Sequence, residues 1–172
     1  MLEKGYIQVY TGNGKGKTTA ALGITLRAAC AGNKIFFGQF MKGQDYSEKK
    51  AIHCLPGLTM EQFGGAFFVN GKPTEKDITD AEAGLERMRE ILTSGEYDLV
   101  VFDEINTALF FKLLSIEEVL EVLDLKPEKT EVILTGRYAP QEIIDRADLV
   151  TEMKEIKHYY NAGVDARVGI EN

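Results

Sequence analysis

Short apolar runs alternate along this chain with longer segments whose apolar residues recur at helical spacing. Residues 6–10, 34–40, 58–63, 97–104, 130–134 and 148–153 read as strands; most are apolar throughout, as strands covered on both faces are. Between them, residues 19–31 are rich in Ala and Leu, apolar on most sides, and stop at Gly32-Asn33. That pattern predicts a helix packed inside the fold. Residues 74–94 carry Ile78, Ala81, Leu85, Met88 and Leu92 on one stripe, with Thr74 as N-cap, Asp77 three residues on and Gly95 at the end. Residues 115–125 open with Ser115 and Glu118 as a capping box and close at Lys126-Pro127, and residues 140–147 have proline in the first turn. Residues 41–50 are polar and read as a loop with at most a short helix, and 64–73 form a glycine-rich loop. Strand and helix in alternation predict an α/β three-layer fold: one domain, 1–172, with a mostly parallel sheet of five or six strands, right-handed crossovers and a tail over 158–172. Ligand is expected at the C-terminal edge of such a sheet.

Composition narrows the function classes. The chain has 172 residues, 44% of them hydrophobic and 27% charged, enough for a proper core. A net charge of -7 argues against an electrostatic grip on nucleic acid, which needs clustered lysine and arginine. Cys30 and Cys54 are far apart and in no CxxC pattern, so a structural zinc site is not expected and a reducing, cytoplasmic setting is. The first strand follows without a signal-like segment, and no apolar run is long enough to span a membrane.

The chemistry begins at residues 11–19, Thr-Gly-Asn-Gly-Lys-Gly-Lys-Thr-Thr, between the first strand and the first helix. Strand, glycine-rich turn and helix with Gly16-Lys17-Thr18 at the junction is the order of a phosphate-binding loop, as in P-loop NTPase-like (RecA-like) folds. Backbone N–H groups over Gly12, Asn13, Gly14, Lys15, Gly16, Lys17, Thr18 and Thr19 can curl around an anion, helped by the helix N-terminus. Lys17 would reach the distal phosphates and Thr18 would ligate magnesium. Thr11 stands where the usual pattern has its first glycine.

Other candidates gain meaning beside that loop. The run 97–104 ends in Asp103-Glu104, carboxylates at a strand end that can face a metal. Arg137 follows the 130–134 strand and reads either as a bidentate polyphosphate clamp or as an ordinary surface arginine. Phe67 and Phe68 in the glycine-rich loop either tuck under it or line a ligand pocket. His53 and His158 stand alone and read as surface or packing residues. These residues support a nucleoside triphosphate and magnesium without specifying the reaction: a small-molecule kinase, an ATP-driven nucleic-acid or switch protein and a non-catalytic carrier remain open.

Residues 10–21, with Gly38-Gln39-Phe40-Met41-Lys42-Gly43, Val101-Phe102-Asp103-Glu104, Leu134-Thr135-Gly136-Arg137 and the ending 147–153 with Lys157-His158 behind it, closely resemble the ATP:corrinoid adenosyltransferases of the CobA/BtuR/CobO type. The likeness runs over nearly the whole chain in the family's order, and Thr11 agrees with it. It implies transfer of the 5'-deoxyadenosyl group of ATP to the cobalt(I) of a corrinoid, with triphosphate leaving, in adenosylcobalamin biosynthesis or salvage. The resemblance also implies that Thr18 and Glu104 hold Mg2+, that Lys17, Glu104 and Arg137 carry catalysis, and that the nucleotide lies reversed in the loop. On the corrinoid side it points to Phe67 and Phe68, with Met41 and Lys42 nearby, although the tryptophan frequent in the family is missing here. A homodimer and a separate cobalt reductase, such as a flavodoxin-like electron donor, are expected partners.

Overall fold

The computed structural model describes residues 3–43, 47–64 and 73–171. Six strands form one sheet: β1 (Ile7–Thr11), β2 (Ile35–Phe40), β3 (Leu58–Phe63), β4 (Leu99–Asp103), β5 (Glu131–Thr135) and β6 (Leu149–Glu152). Their order is β3-β2-β4-β5-β1-β6 and every pairing is parallel. The α/β reading therefore holds, with "mostly parallel" sharpened to parallel throughout. All strand C-termini lie on one edge, and β1 and β4, which carry the loop and the acidic pair, both end there.

Side chains alternate between the two faces as strand geometry requires. Leu99 and Val101 of β4, with Ile35, Phe37 and Ile133, belong to one buried cluster; Val100 and Phe102, with Phe36, Phe40, Val132 and Leu134, belong to the other. Helix α1 (Lys17–Cys30) covers the first face, through Ala21 and Ala29. The second face carries α2 (Glu75–Ser94), α3 (Ile105–Phe110), α4 (Ile116–Asp124) and α5 (Gln141–Arg146). Both capping boxes form as read, at Thr74/Asp77 and Ser115/Glu118, each contributing about 1 kcal/mol to its helix.

One expectation is corrected. Helix α1 is not packed inside the fold: only Lys17, Ala21, Thr25 and Ala29 of it are buried, and Leu26 is half exposed. A stripe of small residues at four-residue spacing lets the helix lie close on the sheet, and nothing among the described residues covers its outer side. Residues 105–114, which carry no clear periodicity, fold as the short helix α3 and a tight turn behind β4. The polar stretch after β2 includes a 3-10 turn, Ser47–His53, and the tail holds another, Tyr159–Ala162. No helix among the described residues is long and apolar enough to cross a membrane.

Candidate active site

The turn from β1 into α1 is held by main-chain and side-chain contacts that explain its sequence. Thr11 is buried at the end of β1; its hydroxyl accepts a hydrogen bond from the Ala139 N–H at 3.2 Å and its carbonyl one from the Met153 N–H at 2.8 Å. A glycine there would lose the first tie. Gly12 has φ 97°, and a Cβ on it would stand 2.4 Å from the Met153 carbonyl oxygen, so no other residue fits. Lys17 opens α1 and is only 7% exposed. Its ammonium donates to the carbonyls of Gly12 at 2.9 Å and Gly14 at 2.8 Å. Burial lowers its pKa, with the Glu104 charge opposing that and Arg137 adding to it. The same charges place Arg137 and Glu104 within electrostatic reach of Lys17.

Asp103, fully buried at the end of β4, is the hub of the site. It accepts hydrogen bonds from the Thr18 hydroxyl at 2.9 Å, the Thr135 hydroxyl at 2.6 Å, the Gln39 amide at 3.1 Å and the Lys42 ammonium at 3.0 Å. Strand register brings Gln39 opposite it, because β2 and β4 are neighbours. Lys42 also pairs with Glu48 at 3.4 Å. Burial works against the Lys42 charge, yet Asp103 and Glu48 outweigh it and leave its pKa raised. Lys42 is therefore a fixed cation beside the phosphate loop.

Glu104 takes a left-handed conformation, φ 61°, at the start of α3, a cost of order 1 kcal/mol for a residue other than glycine. Its N–H donates to the Thr135 hydroxyl at 2.9 Å and its carboxylate accepts from the Thr107 hydroxyl at 2.6 Å. Burial raises its pKa, and the Asp103 carboxylate raises it further. Thr107 also accepts from the Arg137 N–H at 3.1 Å, so one hydroxyl orients both the acid and the arginine loop. Gly136, at φ 132°, permits this: a Cβ there would lie 2.7 Å from the Thr107 nitrogen.

Several of these groups line a cleft of about 630 Å³. Asn13, Gly14, Lys15, Gly16, Lys17, Thr18 and Thr19 line its floor, Lys42, Glu48, Glu104 and Arg137 one side, and His158, Gly169, Ile170 and Glu171 another. The cleft thus gathers most of the residues singled out in the sequence. Met41 is not among its lining; it is half-buried against the larger core cluster, with φ 57° and its N–H bonded to the Phe63 carbonyl. Phe67 and Phe68 lie outside the described residues. His158, expected to be an incidental surface or packing group, stands at the cleft, while His53 is exposed.

Asp103 as a hub, Gln39, Thr107, Thr135 and Glu171 were not anticipated. Gln39 had a signal, a polar residue inside an otherwise apolar buried run, whereas the partners of Asp103 come from three other segments and become visible only once strand order is known. Among the described residues no group of three or more His, Cys, Asp or Glu side chains is clustered as a metal cage. The oxygens of Thr18 and Glu104, both at the cleft, still suit magnesium, which keeps several waters and takes one or two carboxylates beside phosphate.

Residues 3–172 match the family described as ATP:corrinoid adenosyltransferase BtuR/CobO/CobP. The chain is 34% identical over 169 residues to the corrinoid adenosyltransferase of Escherichia coli, with 98% of this chain and 86% of that one aligned. Corrinoid adenosyltransferase CobA of Salmonella typhimurium is 35% identical over the same shares. The corrinoid adenosyltransferase of Pseudomonas aeruginosa is 34% identical over 98% of this chain and 84% of its own.

Proposed function

The chain belongs to the ATP:corrinoid adenosyltransferase family, and on that premise we propose how its cleft moves the adenosyl group of ATP to a corrinoid. The reaction forms a bond between cobalt(I) and the C5' carbon and breaks the C5'–O bond, whose electron pair leaves on inorganic triphosphate. Cobalt(I) is the nucleophile, so no proton has to be removed and no general base is required. The protein's tasks are to hold C5' in line with the metal of the substrate and to stabilise charge on the departing triphosphate.

The phosphate loop suits the second task. Residues Asn13 to Thr18 line the cleft and offer backbone N–H groups to an anion, Gly14 excepted because its N–H donates to the Met153 carbonyl, and Lys17 exchanges its two carbonyl acceptors for phosphate oxygens when triphosphate enters. Arg137 closes on the same anion from the end of β5. Thr18 and Glu104, with Asp103 behind them, would hold Mg2+, which when bound neutralises phosphate charge. The nucleotide lies reversed, with C5' turned outward towards the corrinoid. Phe67, Phe68, Met41 and Lys42 are assigned to the corrinoid side on the strength of the family pattern, with Lys42 held in place by Asp103. A homodimer and an external cobalt reductase complete the proposal.

The observation that carries this reading is the direct bond from Thr18, which lines the cleft with Lys17 and Arg137, to the buried Asp103 at the end of β4. Product analysis tests it. With Mg2+, ATP and reduced corrinoid, phosphorus NMR should show inorganic triphosphate in step with corrinoid consumed. ADP in its place would make the protein a kinase and overturn the reading.

A further inference from the structure

Beyond β6 the chain doubles back across the phosphate loop. The loop and the start of this segment are joined main chain to main chain, Gly14 N–H to the Met153 carbonyl at 2.8 Å. From residue 155 to 171 almost every side chain is exposed, so apolar burial does little to fix the segment in place. Polar contacts do that work. Among the described residues, the hydrogen bonds and ion pairs that tie 155–171 to the rest of the protein all end on two loop residues. Asn13 accepts from the Glu155 N–H at 3.2 Å. Lys15 donates to the Ile170 carbonyl at 3.0 Å and stands 3.8 Å from the Glu171 carboxylate.

Glu171 is itself organised for that contact. Its carboxylate accepts from the Arg167 N–H at 2.9 Å and from the Arg167 guanidinium at 3.2 Å, and the Tyr159 hydroxyl bonds to it as well. Arg167 also lies over the Tyr159 ring, 4.9 Å from its centroid. Those hydrogen bonds keep the carboxylate ionised, with its pKa lowered to about 2. The far end of the segment is thus a closed ring of side chains that presents one anion to Lys15, and Gly169, Ile170 and Glu171 beside it line the cleft.

We propose that Lys15 and Glu171 form a latch that fixes this segment as a wall of the nucleotide cleft, with Arg167 and Tyr159 positioning Glu171. In this assignment Lys15 contributes its backbone N–H to the phosphate cradle while its side chain holds the wall. A loop that grips triphosphate with its amides is thereby coupled to a wall that encloses the same triphosphate. The pair are positioning residues for the transfer reaction, and their role in turnover rests on the adenosyltransferase reading; the latch itself does not.

The test separates the two. Hydrogen exchange of the 155–170 amides is measured in the nucleotide-free protein for wild type, Lys15→Met, Glu171→Gln and the double variant. Each single variant should speed exchange of this segment about two- to five-fold, the range for an exposed ion pair, and the double variant no further than Lys15→Met, which already loses the Ile170 bond as well. Core amides of β4 and β5 should be unchanged in all four proteins. Both variants should also raise KM for ATP by a similar factor at nearly constant kcat, and Glu171→Asp should restore part of the loss. Unchanged exchange in both single variants overturns the latch. So does a KM effect of Lys15→Met that Glu171→Gln does not share, because Lys15 would then be a phosphate ligand. Loss of the latch would leave adenosyl transfer detectable, whereas failure of the adenosyltransferase reading would leave the exchange result intact.

Discussion

Two charged networks flank the phosphate loop, and they differ in depth. On the β4 side, Thr18 meets Asp103, which also binds Gln39, Thr135 and Lys42, with Asp103 fully buried. On the opposite side, Lys15 meets Glu171 with Arg167 and Tyr159 behind it, and Lys15 and Arg167 are open to solvent. Depth sets what each network can do. A buried, hydrogen-bonded carboxylate cannot lose a partner cheaply, so the β4 side holds one geometry and suits charge that must be in place before reaction. An exposed pair is screened by salt and worth little, so the other side can open and close. The loop between them is tied by a buried network on the β4 side and by an exposed one on the other.

The largest effect should come from the loop itself. Lys17→Ala should cut adenosyl transfer by at least about 100-fold, measured as triphosphate formed, because the leaving charge loses its clamp. Asp103→Ala should come next and damage both function and fold. Lys42 and Thr18 lose their shared partner, and urea unfolding should show a loss of about 3 kcal/mol, as for a buried pair broken on one side. A loss within the error of the method would mean that the β4 side is no stiffer than the other, and the contrast between the networks would collapse.

Glu104 supplies a pH-dependent prediction. Its folded pKa is raised, by burial first and by Asp103 second, so the folded metal-free protein holds this proton more tightly than the unfolded chain does. The stability this gives is present at low pH and is lost as pH rises through the raised pKa. Glu104→Gln should therefore raise the melting temperature of the metal-free protein near pH 7 and have little effect near pH 4. In wild type, apparent Mg2+ affinity should rise with pH through the same range, and the variant should flatten that profile. The smallest effect belongs to the exposed side: raising salt from about 50 to 500 mM should speed hydrogen exchange of residues 155–170 by a factor of a few and leave β4 amides alone.

Much of the scaffold was legible because its signals are local. The apolar runs became strands, Thr74 with Asp77 and Ser115 with Glu118 became capping boxes, and Gly16-Lys17-Thr18 became the turn into a helix. What escaped was non-local or depended on what covers a surface. Helix α1 looked apolar enough for an interior position, but its outward side chains, Leu26 among them, meet no second layer. The ring around Asp103 joins residues from the loop, β2, β4 and β5 that only strand order unites. Lys15 and Glu171 are at opposite ends of the chain, and no periodicity relates them. In the sequence Glu104 is only an acid at a strand end; its left-handed turn and the Thr107 bond that aims it belong to the fold.

The proposed cleft transfers carbon to cobalt and releases the whole triphosphate. The most direct measurement is the visible spectrum of a corrinoid reduced to cobalt(I) and mixed in the dark with the protein, ATP and Mg2+. An alkyl-cobalt spectrum that reverts on exposure to light is expected, with one triphosphate per corrinoid converted. A spectrum that stays that of the unalkylated corrinoid, with any corrinoid offered, would contradict it.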